Sequence, residues 1–336
     1  MFIPGEPGMP DARIADPALT ILLSTYNGAR FLRPQLASFC TQSFTGWTLY
    51  WRDDGSTDDS VSIMRAFAAE HPAGRVVESP GSGPHLGASP SFLTLLAEVE
   101  GAGMIAFADQ DDVWLIDKLR DAVDRLHAAG DRPALYCARQ YLVNERLEGD
   151  RLSVVRDCIP GFPACLTQNV ANGNTLVMNQ EAARIVASMG RPEGTVHDWW
   201  SYITVAACGG EIIFDERPAV LYRLHKNNLI GSARPLPARA VAALQRGPAI
   251  FMTMLRRHAE VLALHQARLA PQARRDLARI RAALDGGMLA RINALRCPGF
   301  QRRTPLENIL FAYWFVTDSL PPAAFAPIEA ARAETQ

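Results

Sequence analysis

"TILLSTYNGARFLRPQLASFCTQSFTGWTLYWRDDGSTDDS", Thr20 to Ser60, carries the alternation on which the fold turns. The short apolar run "LTILLS" (Leu19–Ser24) predicts a buried strand, Ala29–Thr41 has helical spacing, and "WTLYWR" (Trp47–Arg52) predicts a second strand. Asp58 then opens a further helix with Asp59 in its first turn, where the helix dipole favours a carboxylate. The same beat continues with a strand at Arg75–Glu78, a helix at Ser89–Glu98 and a strand "GMIAFA" at Gly103–Ala108. Strands alternating with helices predict an α/β fold, a mostly parallel sheet with helices on both faces. In such sheets ligands lie beyond the carboxyl ends of the strands. Three polar clusters directly follow strands: "TYNG" (Thr25–Gly28), "DDGSTDD" (Asp53–Asp59) and "DQDD" (Asp109–Asp112). All three are expected on one rim.

Beyond this half the pattern is mixed. Strand-like runs occur at Ala134–Ala138, Asn174–Met178, Glu211–Phe214 and Ala219–Tyr222, and helical ones at Gln180–Met189 and His197–Ala207. Near Gly231–Pro237 a glycine and two prolines break the chain. Three parts are therefore expected: a flexible Pro- and Gly-rich N-terminus (1–18), an α/β domain (19–232) and an Arg/Ala-rich helical appendage (235–336). From Arg234 to Arg303 there are fourteen arginines and only three acids, Glu260, Asp276 and Asp285. That bias reads either as a solvated helix face or as contact with anionic membrane lipid.

A net charge of −1 over 336 residues gives no bulk electrostatic case for nucleic acid. The six cysteines are scattered without a C-x-x-C pair, which suits reduced thiols in the cytoplasm. Residues 1–18 lack an apolar signal region, and "ILFAYWFV" (Ile309–Val316) is far short of the roughly 20 residues of a membrane span. The expectation is a cytoplasmic protein that at most lies on the inner face of a membrane.

Asp109, Asp111 and Asp112 repel one another and need a counter-charge. Carboxylates on a short loop suit Mg²⁺ or Mn²⁺, and Asp-x-Asp spacing lets Asp109 and Asp111 turn toward one point. Alternatively, Asp111 or Asp112 caps the helix expected over "VWLIDKLRDAVDRL". In "DDGSTDD", Gly55 supplies the turn and Ser56 or Thr57 can cap. Capping leaves Asp53 and Asp54 free to accept from a ligand, such as the ring N–H of uracil or thymine. Tyr26 and Asn27 offer an aromatic face and an amide where the first helix begins, and that helix's free N–H groups would attract phosphate. Neither a P-loop nor Gly-x-Gly-x-x-Gly is present. "GSGPHLG" (Gly81–Gly87) reads as a rim loop or a plain connection. In "VHDWW" (Val196–Trp200), Asp198 either caps a helix while Trp199 and Trp200 pack, or acts as a general base beside rings that stack on sugar. "YRLHKNN" (Tyr222–Asn228) adds Arg223, His225 and Lys226, able to meet a metal or a diphosphate.

Taken in order, the Thr20–Ser60 block, "ADQDDVW", "HDWW" and "YRLHKNN" resemble family 2 glycosyltransferases, nearest to bacterial rhamnosyltransferase-type members. The likeness spans roughly Leu19 to Ser232. It implies a GT-A fold and an inverting, metal-dependent enzyme that takes a dTDP- or UDP-linked sugar, with rhamnose indicated. The acceptor would be a saccharide, free or lipid-linked, in cell-surface polysaccharide synthesis. On that resemblance Thr25, Tyr26, Asn27, Asp53 and Asp54 surround the nucleotide base, and Asp109 and Asp111 meet the ribose and the metal-bound diphosphate. Asp198 matches the catalytic base, with His197 where many relatives have Glu, and His225 reaches the metal or diphosphate. His197, Trp199, Trp200 and His85 fall on the sugar and acceptor side. Relatives often carry Asn-x-Gly-x-x-x-Asn-Phe where this chain has "HLGASPSF", His85 and Ser91 replacing the asparagines.

Competing classes fare worse. A sugar-1-phosphate nucleotidyltransferase needs a basic Gly-rich N-terminal signature that is missing, and a phosphatase of the Asp-x-Asp-x-Thr type fails at Val113. A non-catalytic carbohydrate-binding or scaffold protein of the same fold is the remaining alternative.

Overall fold

The computed structural model describes residues 18–99, 101, 103–153, 161–225 and 248–318. The expected flexible N-terminus (all but Ala18), the break at Gly231–Pro237, Lys226 and Cys158 lie outside these residues. Strands β1 (Leu19–Thr25), β2 (Trp47–Asp53), β3 (Val76–Glu78) and β4 (Met104–Ala108) alternate with helices α1 (Ala29–Cys40), α2 (Ser60–Ala69) and α3 (Ala88–Glu98). Then come β5 (Val113–Trp114), α4 (Lys118–Ala128), β6 (Ala134–Val143), β7 (Arg151–Leu152), β8 (Val177–Met178), α5 (Gln180–Ser188), α6 (His197–Ala207) and β9 (Glu211–Arg223). Four helices follow: α7 (Pro248–Leu264), α8 (Pro271–Asp285), α9 (Met288–Ala294) and α10 (Pro305–Thr317).

One sheet runs β3-β2-β1-β4-β8-β6-β9-β5, with β7 beside β6. The pairs β3–β2, β2–β1, β1–β4 and β6–β9 are parallel. β8 is antiparallel to both β4 and β6, and β5 is antiparallel to β9. The expected mostly parallel α/β sheet is therefore present. Alternation along β1 sends Ile21 and Leu23 into one apolar cluster with α1, α2 and α4, and Leu22 into another with α3, α5 and α6. The second cluster also takes in Met252, Leu277, Ile280 and Phe311 of the C-terminal helices. The C-terminal helices expected after the α/β part are present and pack into its core.

Several boundaries differ from expectation, and the strand expected at Asn174–Met178 shrinks to Val177–Met178 behind a single helical turn at Gly173–Thr175. The segment after the aspartates begins as strand β5, and its helix starts only at Lys118, so neither Asp111 nor Asp112 caps it. The two runs at Glu211 and Ala219 are one strand, irregular opposite Ala138–Gln140, where Pro218 has no N–H to give the ladder. α2 begins at Ser60, and it is Asp58, not Ser56 or Thr57, that accepts from the Ser60 amide and hydroxyl.

Candidate active site

Register fixes the rim. Thr25 lies beside Asp53, and Leu23 beside Ala108, so the turns after β1, β2 and β4 leave the sheet at one level. At the first turn Asn27 sits at φ 46°, a left-handed conformation that asparagine tolerates, with its amide oxygen accepting from the Thr57 N–H at 2.8 Å. The amides of Asn27, Gly28 and Ala29 donate to Ser56, Ser60 and Asp58. These N–H groups are therefore engaged by the β2 turn and not free for phosphate, contrary to expectation. Asp53 accepts from Thr25 Oγ1 (3.3 Å) and from the Gly55 and Ser56 amides (3.0 and 2.9 Å), so it shapes the turn it sits in.

Gln110, unremarked in the sequence, clasps Tyr26. Its Oε1 accepts from the Tyr26 N–H at 2.8 Å and its Nε2 donates to the Tyr26 carbonyl at 3.0 Å. The clasp lies where a Cβ on Gly28 would fall, on the Gln110 amide. Gly28→Ala is expected to expel Gln110, cost about 1–2 kcal/mol through the two lost bonds and loosen Tyr26. Thermal denaturation measures the first effect and nucleotide affinity the second.

Asp54 behaves differently from its neighbour. It is buried and paired with buried Arg52, and its two oxygens also accept from the Leu86 and Gly87 amides, each at 2.8 Å. Arg52 in turn donates to the Gly81 and Pro84 carbonyls and to Ser91 Oγ. The pair builds the 81–87 loop, so Asp54 holds the site's wall rather than facing into it. That loop sets His85 over Tyr26, ring centroids 4.5 Å apart, both side chains partly exposed at the rim. Ser91, in the place of the relatives' second asparagine, is buried against Arg52 and Ser24.

The aspartate cluster divides three ways. Asp112 is buried, accepting from Asn174 (2.6 Å) and from the Arg223 amide (3.1 Å), and burial holds its carboxyl well above the usual range. Asp111 meets His225 Nε2 at 2.7 Å. The β5–β9 pairing explains this: Val113 lies against Leu221, which carries Arg223 and His225 back along the aspartates. Asp109 accepts no hydrogen bond among the described residues; burial first, then the charges of Asp111 and Asp198, push it up to about 7. Lys118 is close enough to draw it down, but its own Nζ is buried without a hydrogen-bond partner, 3.4 Å from the Trp114 ring centroid. An unpartnered carboxylate in the field of others fits a divalent cation. No group of three or more His, Cys, Asp or Glu converges among the described residues, so the protein offers a pair, and Mg²⁺ commonly takes one or two carboxylates plus substrate phosphates.

Asp198, in the first turn of α6, lies near enough for its charge to raise the Asp109 carboxyl. Its oxygens accept from Asn169 Nδ2 (3.1 Å), the Gly173 amide (3.0 Å) and the Trp199 amide. Burial nevertheless raises it to about 6, a value suited to taking a proton near neutrality. Its neighbours go elsewhere. His197 is stacked on Phe92 at 4.2 Å and edge-on to Phe107, with both ring nitrogens unpartnered, and burial lowers it to about 3. Trp200 is core, donating to the Gly190 carbonyl and stacked on His258. Trp199 is partly buried, its N–H on the Cys165 carbonyl. His197 and Trp200 are thus corrected from sugar contacts to packing residues. A helix turns about 100° per residue, so adjacency to Asp198 does not bring them to its side.

The structure brings Thr25 to Asp53, Asn27 to Thr57, Tyr26 to His85 and Asp111 to His225, and sets Asp109 in the field of Asp198. Gln110 and Asn169 were missed. Arg52 and Asp54 had a signal, since residues two apart on a strand share a face; Asn169 had none, its bond to Asp198 spanning 29 residues.

Residues 20–163 match the family described as Glycosyl transferase family 2. The chain is similar to dTDP-rhamnosyl transferase RfbG of Shigella flexneri, 26% identical over 222 residues that are 62% of this chain and 74% of that protein. Among solved structures it is similar to S. aureus TarS residues 1–349 in complex with UDP-GlcNAc. The TM-score is 0.52 at 14% identity, covering 83% of this chain and 81% of that one, a likeness of fold alone.

Proposed function

The chain belongs to glycosyl transferase family 2 and has its GT-A fold, and from that premise we propose an inverting, metal-dependent hexosyltransferase that works in the cytoplasm on cell-surface polysaccharide. The donor is a dTDP- or UDP-linked sugar, with rhamnose the first candidate on the similarity to the S. flexneri protein. The acceptor is a saccharide, free or lipid-linked. One observation carries this reading: Asp198, a carboxylate buried at the start of α6 and held by Asn169 and the Gly173 amide, lies within electrostatic reach of Asp109.

Asp198 takes the proton from an acceptor hydroxyl as that oxygen attacks the anomeric carbon. With the leaving diphosphate held on the Asp109 side, the bond from the anomeric carbon to the diphosphate oxygen would break as the acceptor oxygen attacks from the opposite face, which inverts the anomeric configuration. Tyr26, Asn27 and Asp53 border the base pocket, with Tyr26 fixed by Gln110. His225 holds Asp111 in place. Asp109 and Asp111 would hold Mg²⁺ or Mn²⁺, which supplies positive charge to offset that growing on the diphosphate.

Thermal unfolding with UDP, dTDP, GDP and CDP, each with and without Mn²⁺, tests the reading. A nucleotide held at about 100 times its dissociation constant stabilises by about 2.7 kcal/mol. A Mn²⁺-dependent rise with dTDP or UDP is expected; no rise with any nucleotide counts against it. Metal-dependent donor hydrolysis then separates an enzyme from a non-catalytic binder.

The pH dependence follows from Asp198. The base must be ionised, and burial places its midpoint near 6, so the protonated form accumulates below that value. The transfer rate should fall about tenfold per pH unit on the acid side of 6 and level off above it. A rate unchanged down to pH 4.5, about 1.5 units below, would exclude Asp198 as the base.

A further inference from the structure

Twelve large hydrophobic side chains are exposed among the described residues, and half of them fall between Met288 and Tyr313. On α10, Leu306 (72% exposed), Ile309 (69%) and Tyr313 (64%) recur at helical spacing on one face, while Phe311, Trp314 and Phe315 are buried on the other. On α9, Leu289 (82%) and Ile292 form a second stripe, which Arg296 continues one turn beyond. α9 packs against both α8 and α10, so the two stripes belong to adjoining helices. Single exposed hydrophobics are ordinary, but a cluster of this size marks a surface that meets something apolar.

Charge says what. Between 248 and 318 seven arginines are exposed, against two exposed acids, Asp285 and Glu307. Arg256 and Arg291 are buried with Asp318, Arg302 pairs with Glu307, and Asp276 is buried beside Gln272 and Cys297. Arg296 and Arg303 are exposed at the ends of the two stripes, and exposed Arg279 lies beside Cys297. Pairing this face with a second copy would set arginines against arginines, because a two-fold interface presents the same patch from both sides. A lipid surface with anionic headgroups satisfies both halves of the pattern. No helix among the described residues is long and apolar enough to cross a membrane. We propose that α9 and α10 dock on the surface of an anionic bilayer, the apolar stripes entering the headgroup boundary and the arginines meeting lipid phosphates.

The face has a fixed relation to the candidate site. The segment joining α9 to α10 is pinned to the turn before Asn169: Thr167 Oγ1 donates to the Gln301 carbonyl (2.9 Å), Arg302 donates to the Thr167 carbonyl (2.7 Å), and the Arg303 amide donates to Gln168 (3.2 Å). Asn169 then reaches Asp198. The docked face therefore adjoins the acceptor side of the rim, where a lipid-linked saccharide would arrive. Docking itself needs neither donor nor turnover, so it goes beyond the transferase reading and is tested apart from it.

The test is flotation of the full chain with vesicles of phosphatidylcholine, alone or mixed with phosphatidylglycerol, at low and high salt. Binding is expected on the anionic vesicles, weakening as salt screens the arginines. The pair Leu289→Gln and Ile309→Gln should reduce binding about tenfold or more, and Arg279→Gln and Arg296→Gln about fivefold each. All these positions are exposed, so the thermal midpoint and its rise with nucleotide should not change. Absence of flotation at low salt overturns the proposal, as does equal binding to neutral vesicles or full binding by folded variants. A dimer that the Leu289 and Ile309 substitutions split, without flotation, assigns the face to a second copy and also overturns it. Failure of the transferase reading would show in the nucleotide shift and leave flotation as it is.

Discussion

Asp198→Asn should lower transfer about 10²- to 10⁴-fold while keeping the nucleotide-dependent rise in thermal midpoint. The substitution keeps the side chain's shape but removes the group proposed to take the acceptor's proton. Its environment makes the prediction specific. The carboxylate takes hydrogen bonds from Asn169, Gly173 and Trp199, and an asparagine turns one oxygen into a donor that faces one of those N–H groups. Some stability will go with it, about 1–3 kcal/mol for a buried group left unmatched. The kinetic split separates the two effects: kcat should collapse while the donor KM stays near that of the native chain, because the nucleotide-side residues lie on other turns. Normal turnover by this variant would remove Asp198 from the mechanism.

The second large effect is structural. Asp54→Ala should cost about 3–5 kcal/mol, because it leaves the Arg52 guanidinium buried without its anion. It also frees the Leu86 and Gly87 amides that hold the 85–87 turn. At roughly 2–4 °C per kcal/mol the midpoint should fall on the order of 10 °C. Nucleotide binding should weaken as a consequence, through the displaced His85 and Tyr26. The alternative, that Asp54 touches the base directly, predicts an unchanged midpoint with lost nucleotide response. Thermal unfolding of this one variant with and without dTDP decides between them.

The placement of the turns after β1, β2 and β4 was legible in the sequence because each of these strands is a short apolar run ended by a polar turn. Parallel pairing of β1 with β2 and β4 then needed no further information to bring Thr25, Asp53 and Asp109 together. What could not be read depends on distant partners. "VWLIDKL" has the look of a helix start, and only β9, more than a hundred residues on, makes Val113–Trp114 a strand. Adjacent aspartates and the adjacent His197–Asp198 pair look equivalent on paper. The pleat parts Asp53 from Asp54, and the helical turn parts His197 from Asp198. Asn169 and Gln110 are ordinary amides until the fold supplies a carboxylate and a backbone for them.

The placement of β9 at the far side of the sheet also orders the protein's manufacture. Every group proposed for the nucleotide side lies between Thr25 and Asp112, whereas Asp198 follows 86 residues later and His225 arrives last, two residues beyond β9. At about 5–20 residues per second a ribosome needs roughly 4–17 s to pass from one to the other. The nascent chain therefore carries the side chains of the proposed donor pocket well before it carries the proposed base, and the histidine beside Asp111 is the last of these groups to be made.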